Sequence, residues 1–140
     1  TFVHRGWSKE LLRELATRDI RYFTETDVSI AEDEELLDLL YPSGCRQVLI
    51  GFESPRREGL IGIDRAEWKS RQFDRYLEAI EKIQGRGVSV CGCFIVGLDT
   101  DTPDVFDQMR EFIQRSRLLE VQVTLLTPFP GTRLYDRLNT

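Results

Sequence analysis

The feature of this sequence that most constrains its fold is a fourfold alternation of amphipathic helical segments with short apolar strands. Strand patterns cover residues 20–26, 47–52, 88–97 and 121–127, and a helical pattern precedes each of them. The two middle patterns are almost continuously apolar, which is typical of strands that are covered on both faces. Alternation of this kind favours right-handed βαβ crossovers. We therefore predict an α/β fold of parallel βα repeats with about four strands.

Capping residues indicate where the predicted helices begin. Ser8 is the predicted N-cap of the first helix, and Asp33 is that of the second. Thr102 and Pro103 are typical of the N-cap and first position of the helix that follows the third strand. The helical spacing predicts that the core face of this helix consists of Val105, Phe106, Met109, Phe112 and Ile113.

The length and charge of the chain limit the classes of protein to which it can belong. Its 140 residues are enough for one domain with a core. The net charge of -5 argues against a nucleic-acid partner, since phosphate binding needs concentrated Lys and Arg. No apolar run approaches the roughly 20 residues of a membrane-spanning helix. We interpret the basic residues of one segment as a solvated surface: Arg56, Arg57, Arg65, Lys69 and Arg71.

The three cysteines suit a reducing compartment better than a disulfide scaffold, and we expect a cytoplasmic location. Cys91 and Cys93 share one face of a strand, but no nearby Cys-x-x-Cys or histidine completes a metal site, and buried structural cysteines are favoured. The single histidine, His4, leaves a serine triad without an obvious base. A P-loop and a Gly-x-Gly-x-x-Gly fingerprint are also absent.

Polar residues follow each strand pattern, at the edge where parallel sheets bind their ligands. The four segments read TETD (24–27), GFES (51–54), GLDTD (97–101) and LTPFPGT (126–132). The carboxylates of Glu53 and Asp99 could accept hydrogen bonds from hydroxyl or ammonium groups. Gly51 and Gly97 would allow the backbone to approach a flat ligand closely.

Structural roles remain open for some of these residues. Asp101 and Thr102 could serve only as helix caps, and Gly92 and Gly97 only as packing glycines. Glu53 favours a functional role, because a carboxylate at the end of an apolar strand is costly to bury without a partner.

Four segments of the chain carry a resemblance to a known family. They read TETDVSIAEDEELLDLL, GCRQVLIGFES, VCGCFIVGLDTDTPDVF and LLTPFPGTRLYDRL, and they occur in the family's order. Over residues 7–138 the chain resembles radical S-adenosylmethionine (SAM) enzymes. The likeness is closer to the subgroup that carries a cobalamin-binding domain upstream.

The resemblance implies an incomplete (β/α)6 partial barrel of the TIM type that binds SAM beside a [4Fe-4S] cluster, with cobalamin as an option in the parent protein. Glu53 and Ser54 match a strand end that can contact the SAM ribose. Ile95, Val96 and Gly97 match a strand whose backbone lies beside adenine. Together with the polar residues of the neighbouring strand ends, the candidate cofactor-binding residues are Thr26, Asp27, Glu53, Ser54, Ile95, Val96, Gly97, Asp99 and Asp101.

The sequence also departs from the family's pattern. The CxxxCxxC segment that holds the cluster and the GGE-type segment that binds the SAM amino group are both absent. The resemblance therefore implies that residues 1–140 are a single fragment, comprising the third to sixth strands, with no metal ligand and no catalytic residue of its own. Its expected partners are a small-molecule substrate and upstream domains of the same chain, and the fragment alone is expected to be inactive and to self-associate.

Two other readings of the residues remain open at this point. The chain could be a stand-alone small α/β domain that binds a nucleotide or a phosphosugar at the same strand ends. It could also be a structural domain with no ligand.

Overall fold

The computed structural model describes residues 2–139, and its strands form one parallel sheet. They are β1 (Tyr22–Thr26), β2 (Cys45–Glu53), β3 (Ser89–Val96) and β4 (Glu120–Leu125). Their spatial order is β1-β2-β3-β4, and each neighbouring pair is parallel. Because every connection steps to the next strand along, the sheet is wound like the wall of a β/α barrel. The predicted α/β fold of parallel βα repeats is confirmed.

Helices connect the strands and precede the first of them. They are α1 (Arg5–Leu15), α2 (Glu34–Leu40), α3 (Trp68–Gln72), α4 (Tyr76–Gln84), α5 (Val105–Ser116) and α6 (Arg133–Leu138). Short 3-10 turns lie at Val28–Glu32, Glu58–Leu60, Arg65–Glu67 and Phe73–Arg75. Among residues 2–139, no helix combines the length and apolar character that crossing a membrane requires.

The hydrophobic core lies between the helices and one face of the sheet. Val48, Ile50 and Phe52 of β2 are at most 1% exposed. The Phe52 ring lies 4.9 Å from that of Tyr76 in an edge-on arrangement and 5.8 Å from that of Phe94. Aromatic pairs at such distances add to the hydrophobic energy of burial, so Phe52 joins β2 to both β3 and α4.

The other face of the sheet carries Glu25, Leu49, Gly51, Cys91, Cys93 and Ile95, and we call it the open face. The alternation of burial along β2 shows the contrast, since residues 48, 50 and 52 are buried whereas residues 49, 51 and 53 are half-buried. The expectation that both middle strands are covered on both faces is therefore wrong for β2. Successive side chains of a strand point to opposite faces, so the β2 residues that face the core are fully buried and those on the open face are only partly covered.

Two predicted helix starts are also wrong. α1 begins at Arg5 after His4, and Ser8 lies inside the helix, buried, rather than at its cap. α5 begins at Val105 because Thr102 and Pro103 form a preceding turn, in which the Thr102 carbonyl accepts the Val105 N–H. Phe106 is 63% exposed and does not belong to the core face of α5.

Other boundaries follow the prediction. Asp33 caps α2, since its carboxylate accepts the N–H of Leu36 at 3.1 Å. The strands start and end within two residues of the predicted limits. Period-two patterning and capping chemistry are local properties, so they predict where an element lies in the chain. Its terminal residues also depend on tertiary contacts, and they shift by one or two positions.

Candidate functional site

The carboxyl ends of the four strands lie at one edge of the sheet, because the strands are parallel. Thr26, Glu53 and Val96 are the last residues of β1, β2 and β3. The remaining predicted site residues follow these strands directly, apart from Ile95, which lies within β3. The structure therefore gathers the predicted residues at one edge, although their side chains have different surroundings.

Glu53 has the least usual conformation of these residues. Its φ is +64°, which is uncommon for a residue other than glycine. Its side chain is about one-fifth exposed and pairs with Lys69 of α3, whose Nζ donates to Glu53 Oε1 at 2.6 Å. The same Nζ donates to the carbonyl oxygen of Gly51, also at 2.6 Å.

Gly51 leaves room for this arrangement. A Cβ at position 51 would lie 2.5 Å from Glu53 Oε1 and 3.2 Å from Lys69 Nζ. The Glu53 carboxylate therefore folds back over Gly51 on the open face. Gly51 was expected to allow a flat ligand to approach the backbone closely; in the structure the Glu53 carboxylate lies in the space beside it.

Cys93 lies near these charges on the open face. Burial raises the pKa of the Cys93 thiol, and the carboxylates of Glu53 and Glu25 raise it further, against the opposing effects of Cys91 and Lys69. Burial also raises the pKa of Cys91 to about 11. Both thiols are therefore protonated near neutral pH.

A [4Fe-4S] cluster is held by a group of cysteine thiolates, and within the described part of the chain Cys91 and Cys93 have no third cysteine beside them that would complete such a group. Among residues 2–139, no group of three or more His, Cys, Asp or Glu side chains is arranged to hold a metal ion. All three cysteines are free in the structure.

Asp101 holds the turn that follows β3. Its Oδ2 accepts the N–H groups of Gly97 at 2.9 Å and Leu98 at 3.0 Å, while its Oδ1 lies 3.3 Å from Arg56 Nη2. The carboxylate is only 7% exposed, and Gly97 adopts a φ of +93°. Asp101 thus stabilises the turn after Gly97 and does not cap α5, so the expected helix-capping role is wrong for this residue.

Asp99 and Ser54 have contrasting environments. Asp99 is exposed and forms two hydrogen bonds with the guanidinium of Arg137 in α6, at 2.7 and 3.1 Å. Ser54 is fully buried, and its hydroxyl accepts the N–H of Arg56 at 3.2 Å. A Cβ on Gly59 would lie 2.2 Å from that hydroxyl, so Ser54 sits beneath the connection after β2.

Thr26 and Asp27 border a cavity of about 270 Å³ that is also lined by Arg5 and Trp68. Asp27 accepts the N–H of Ser29 at 2.8 Å and so caps the 3-10 turn that follows β1. Arg5 Nη2 donates to the hydroxyl of Ser29 at 2.6 Å. The cavity therefore has polar groups at the carboxyl end of β1 and an aromatic side chain from α3.

Ile95 and Val96 lie on opposite faces of β3. Ile95 is half-buried on the open face, whereas Val96 is buried and its carbonyl accepts the N–H of Leu126 at 2.8 Å. Of these two residues, Ile95 is the one whose side chain lies on the open face.

Sequence reasoning missed Lys69 and Arg56 as parts of this edge. Both were interpreted as solvated surface, but their side chains are only 20% and 18% exposed. Their partners lie 16 and 45 residues away in the chain, so no local pattern reveals them. The sequence offered only an indirect signal for these two cations. Glu53 and Asp101 are carboxylates at strand ends, and a buried carboxylate needs a cation or hydrogen-bond donor beside it.

Comparison with known proteins places these features in a family. The model of the radical SAM superfamily matches residues 3–113. The chain therefore belongs to the radical SAM superfamily, which is a family of enzymes. The stand-alone nucleotide- or phosphosugar-binding domain is not favoured by this match.

Several individual proteins are similar to the chain. The hopanoid C-2 methylase of Rhodopseudomonas palustris is 30% identical over 81% of this chain and 21% of that protein. The bacteriochlorophyllide d C-12(1)-methyltransferase of Chlorobaculum tepidum is 28% identical over 92% of this chain and 28% of that protein. The chain thus spans between a fifth and a third of the length of these relatives.

A solved structure supports the fold. The radical SAM methyltransferase TsrM from Kitasatospora setae, with cobalamin and a [4Fe-4S] cluster bound, superposes with a TM-score of 0.77. The match covers 94% of this chain and 27% of that chain at 24% identity. The four strands therefore have the arrangement of part of a radical SAM domain.

Proposed function

We propose that this chain forms part of the catalytic domain of a radical SAM methyltransferase. The family match over residues 3–113 carries this proposal. The methylase and methyltransferase activities in the names of the relatives favour methylation. The cobalamin in the TsrM structure makes cobalamin the expected additional cofactor.

The proposed SAM site is the open face at the carboxyl ends of β2 and β3. Glu53 would accept hydrogen bonds from the ribose hydroxyls, because ionised carboxylates are acceptors. Ile95 and the backbone at Gly97 would lie beside adenine, and Thr26 and Asp27 would border the SAM or substrate space. In this family, SAM and the cluster together supply a radical that abstracts a hydrogen atom from the substrate.

The other predicted residues take supporting roles in this proposal. Asp101 maintains the turn after Gly97, Ser54 supports the end of β2 from beneath, and Asp99 is expected at the rim of the site. We propose that the cluster ligands come from other segments of the same gene product, since Cys45, Cys91 and Cys93 do not fit that role. A small-molecule substrate and a cytoplasmic location complete the proposal.

The proposal can be tested on the full gene product that contains this chain. The protein would be reconstituted without oxygen with iron and sulfide, and then supplied with cobalamin, a reductant and SAM carrying a labelled methyl group. We expect SAM-derived products, either 5'-deoxyadenosine or S-adenosylhomocysteine, and label transfer to a substrate. A reconstituted protein that neither binds nor consumes SAM would contradict the proposal.

The role of Glu53 can be tested in the same protein. We expect Glu53→Ala to weaken SAM binding about tenfold, the scale of one charge-assisted hydrogen bond, while the visible absorption of the cluster stays unchanged. Equilibrium dialysis against labelled SAM would measure the effect. Unchanged affinity would leave Glu53 with a structural role only.

A further inference from the structure

Lys69 is a largely buried cation that reaches the open face from outside the sheet. It lies on α3, in the connection between β2 and α4, and its side chain is 20% exposed. Among residues 2–139, its Nζ bonds only to the Gly51 carbonyl and Glu53 Oε1, each at 2.6 Å. A lysine side chain loses conformational entropy when it is fixed in this way, so the two short hydrogen bonds must contribute enough free energy to offset that loss.

The turn that Lys69 contacts is unusual. The N–H of Ser54 donates to the carbonyl of Phe52 at 2.8 Å, which closes a three-residue turn around Glu53. Because φ at Glu53 is +64°, this γ-turn is of the type with a positive central φ, which is rare and strained, and not of the common inverse type. Strained conformations persist only where the surroundings fix them, and they concentrate at functional sites.

The two Lys69 bonds are made to the residue just before this turn and to the residue at its centre. The first residue accepts through its backbone and the second through its side chain, so together the bonds draw the Glu53 carboxylate over Gly51. Among residues 2–139, the Glu53 carboxylate is bonded through Oε1 alone. Oε2 is left as an acceptor at the carboxyl edge of the sheet.

We propose that Lys69 is a positioning residue that fixes Glu53 in its strained turn, so that Oε2 can accept hydrogen bonds from vicinal hydroxyl groups of a nucleoside ligand. The inference rests on the proposed function, in which that ligand is SAM. Pre-positioning of this kind lowers the cost of ordering a side chain when the ligand binds.

The positioning can be tested without any ligand. A crystal structure of the full gene product carrying Lys69→Met should show Glu53 with a negative φ or with its carboxylate turned away from Gly51. Lys69→Arg should retain the turn, since the guanidinium can donate to both acceptors. If Glu53 keeps its φ near +64° and its place over Gly51 in Lys69→Met, the positioning role is wrong.

The consequence for binding can be tested with S-adenosylhomocysteine by isothermal titration calorimetry. We expect Lys69→Met to weaken binding about tenfold, and Lys69→Arg to stay within about threefold of the wild type. Lys9→Met is a matched control, because Lys9 is 18% exposed and its Nζ likewise contacts two oxygen acceptors, here the carboxylates of Asp33 and Glu35, which join α1 to α2. It should leave the affinity unchanged.

A double-mutant cycle separates positioning from a general structural effect. In a Glu53→Gln background, Lys69→Met should change the affinity less than twofold, since Lys69 acts through Glu53. Additive losses would contradict the inference. A wild-type protein that does not bind S-adenosylhomocysteine would overturn the proposed function and the ligand part of this inference, whereas the crystal structures would still decide the positioning.

Discussion

Gly51 and Gly92 lie on opposite faces of the sheet, and a methyl group would meet different surroundings at each. At Gly51 the nearest atom is Oε1, at the far end of the Glu53 side chain, 2.5 Å away. At Gly92 the nearest atom is Leu118 Cδ1 at 2.7 Å, followed by two aromatic rings. The two glycines therefore predict different consequences of the same substitution.

We expect Gly51→Ala to displace the Glu53 carboxylate and to weaken S-adenosylhomocysteine binding about tenfold, with little loss of stability. The side chain rather than the backbone would give way. Gly6→Ala is the matched control, since nothing lies within 4 Å of its added Cβ. Calorimetric titration and thermal unfolding of both variants would measure the effects, and equal affinities in the two variants would contradict the prediction.

We expect Gly92→Ala to destabilise the fold by about 1–3 kcal/mol, the usual range for overpacking a core. Its added Cβ would also lie 3.1 Å from the Phe94 ring and 3.3 Å from the Phe52 ring, which are both buried. Urea unfolding would measure the loss. A variant as stable as the wild type would show that the core can relax around the methyl group.

At the scale of elements, charged groups join α1 to α2. Lys9 Nζ lies 2.9 Å from Asp33 Oδ1 and 2.8 Å from Glu35 Oε2. Burial raises the pKa of Asp33, but the bonds from Lys9 and the Leu36 N–H outweigh it, so the pKa is lowered overall. Lys9 also lowers the pKa of Glu35, and the bond to Glu35 raises the pKa of Lys9.

These pKa shifts predict the pH range over which the ion pairs that form the joint between α1 and α2 stabilise the fold. A lowered carboxyl pKa contributes stability above the unfolded value of about 4, and this contribution is lost as the pH falls through the folded pKa. The raised pKa of Lys9 contributes below about 10.5 and is lost as the pH rises through its folded value. The joint is therefore strongest between these limits.

We expect Lys9→Met to lower the melting temperature at pH 7, and the difference from the wild type to shrink at pH 3. Thermal unfolding followed by circular dichroism at both pH values would measure this. Arg110→Met is a suitable control, because its pair with Asp107 is exposed within one helix and such pairs contribute little. A difference that persists undiminished at pH 3 would contradict the assigned cause.

At the scale of the whole molecule, the sheet has two edge strands, β1 and β4. The second of these leaves apolar side chains exposed, with Val123 at 48% and Leu125 at 66%. Exposed apolar edges of this kind are ready surfaces for strand pairing and association.

We expect the 140-residue chain, when it is produced by itself, to self-associate through this edge, and Leu125→Lys to reduce the association. Phe106→Lys is the matched control, because Phe106 is 63% exposed, close to the 66% of Leu125, but lies on α5. Size-exclusion chromatography with light scattering would measure the mass. A monomer across a wide concentration range would contradict the prediction.

The sequence predicted the architecture better than the site. Asp33 as the cap of α2 and the four parallel strands were both accessible, because they depend on patterns within a few residues. Phe106 was misplaced because helical spacing alone does not reveal which neighbours are present. Asp101 was ambiguous for a similar reason, since its partners include Arg56, far away in the chain.

By itself, the sequence determined the alternation of strands and helices, and with it the parallel sheet, because residue periodicity and chain connectivity are enough to select that arrangement. Only the tertiary structure decided which charges meet. Lys69 reaches Glu53 across 16 residues, and Arg137 reaches Asp99 across 38. Such contacts depend on where whole elements pack, and no periodicity within the chain encodes that placement.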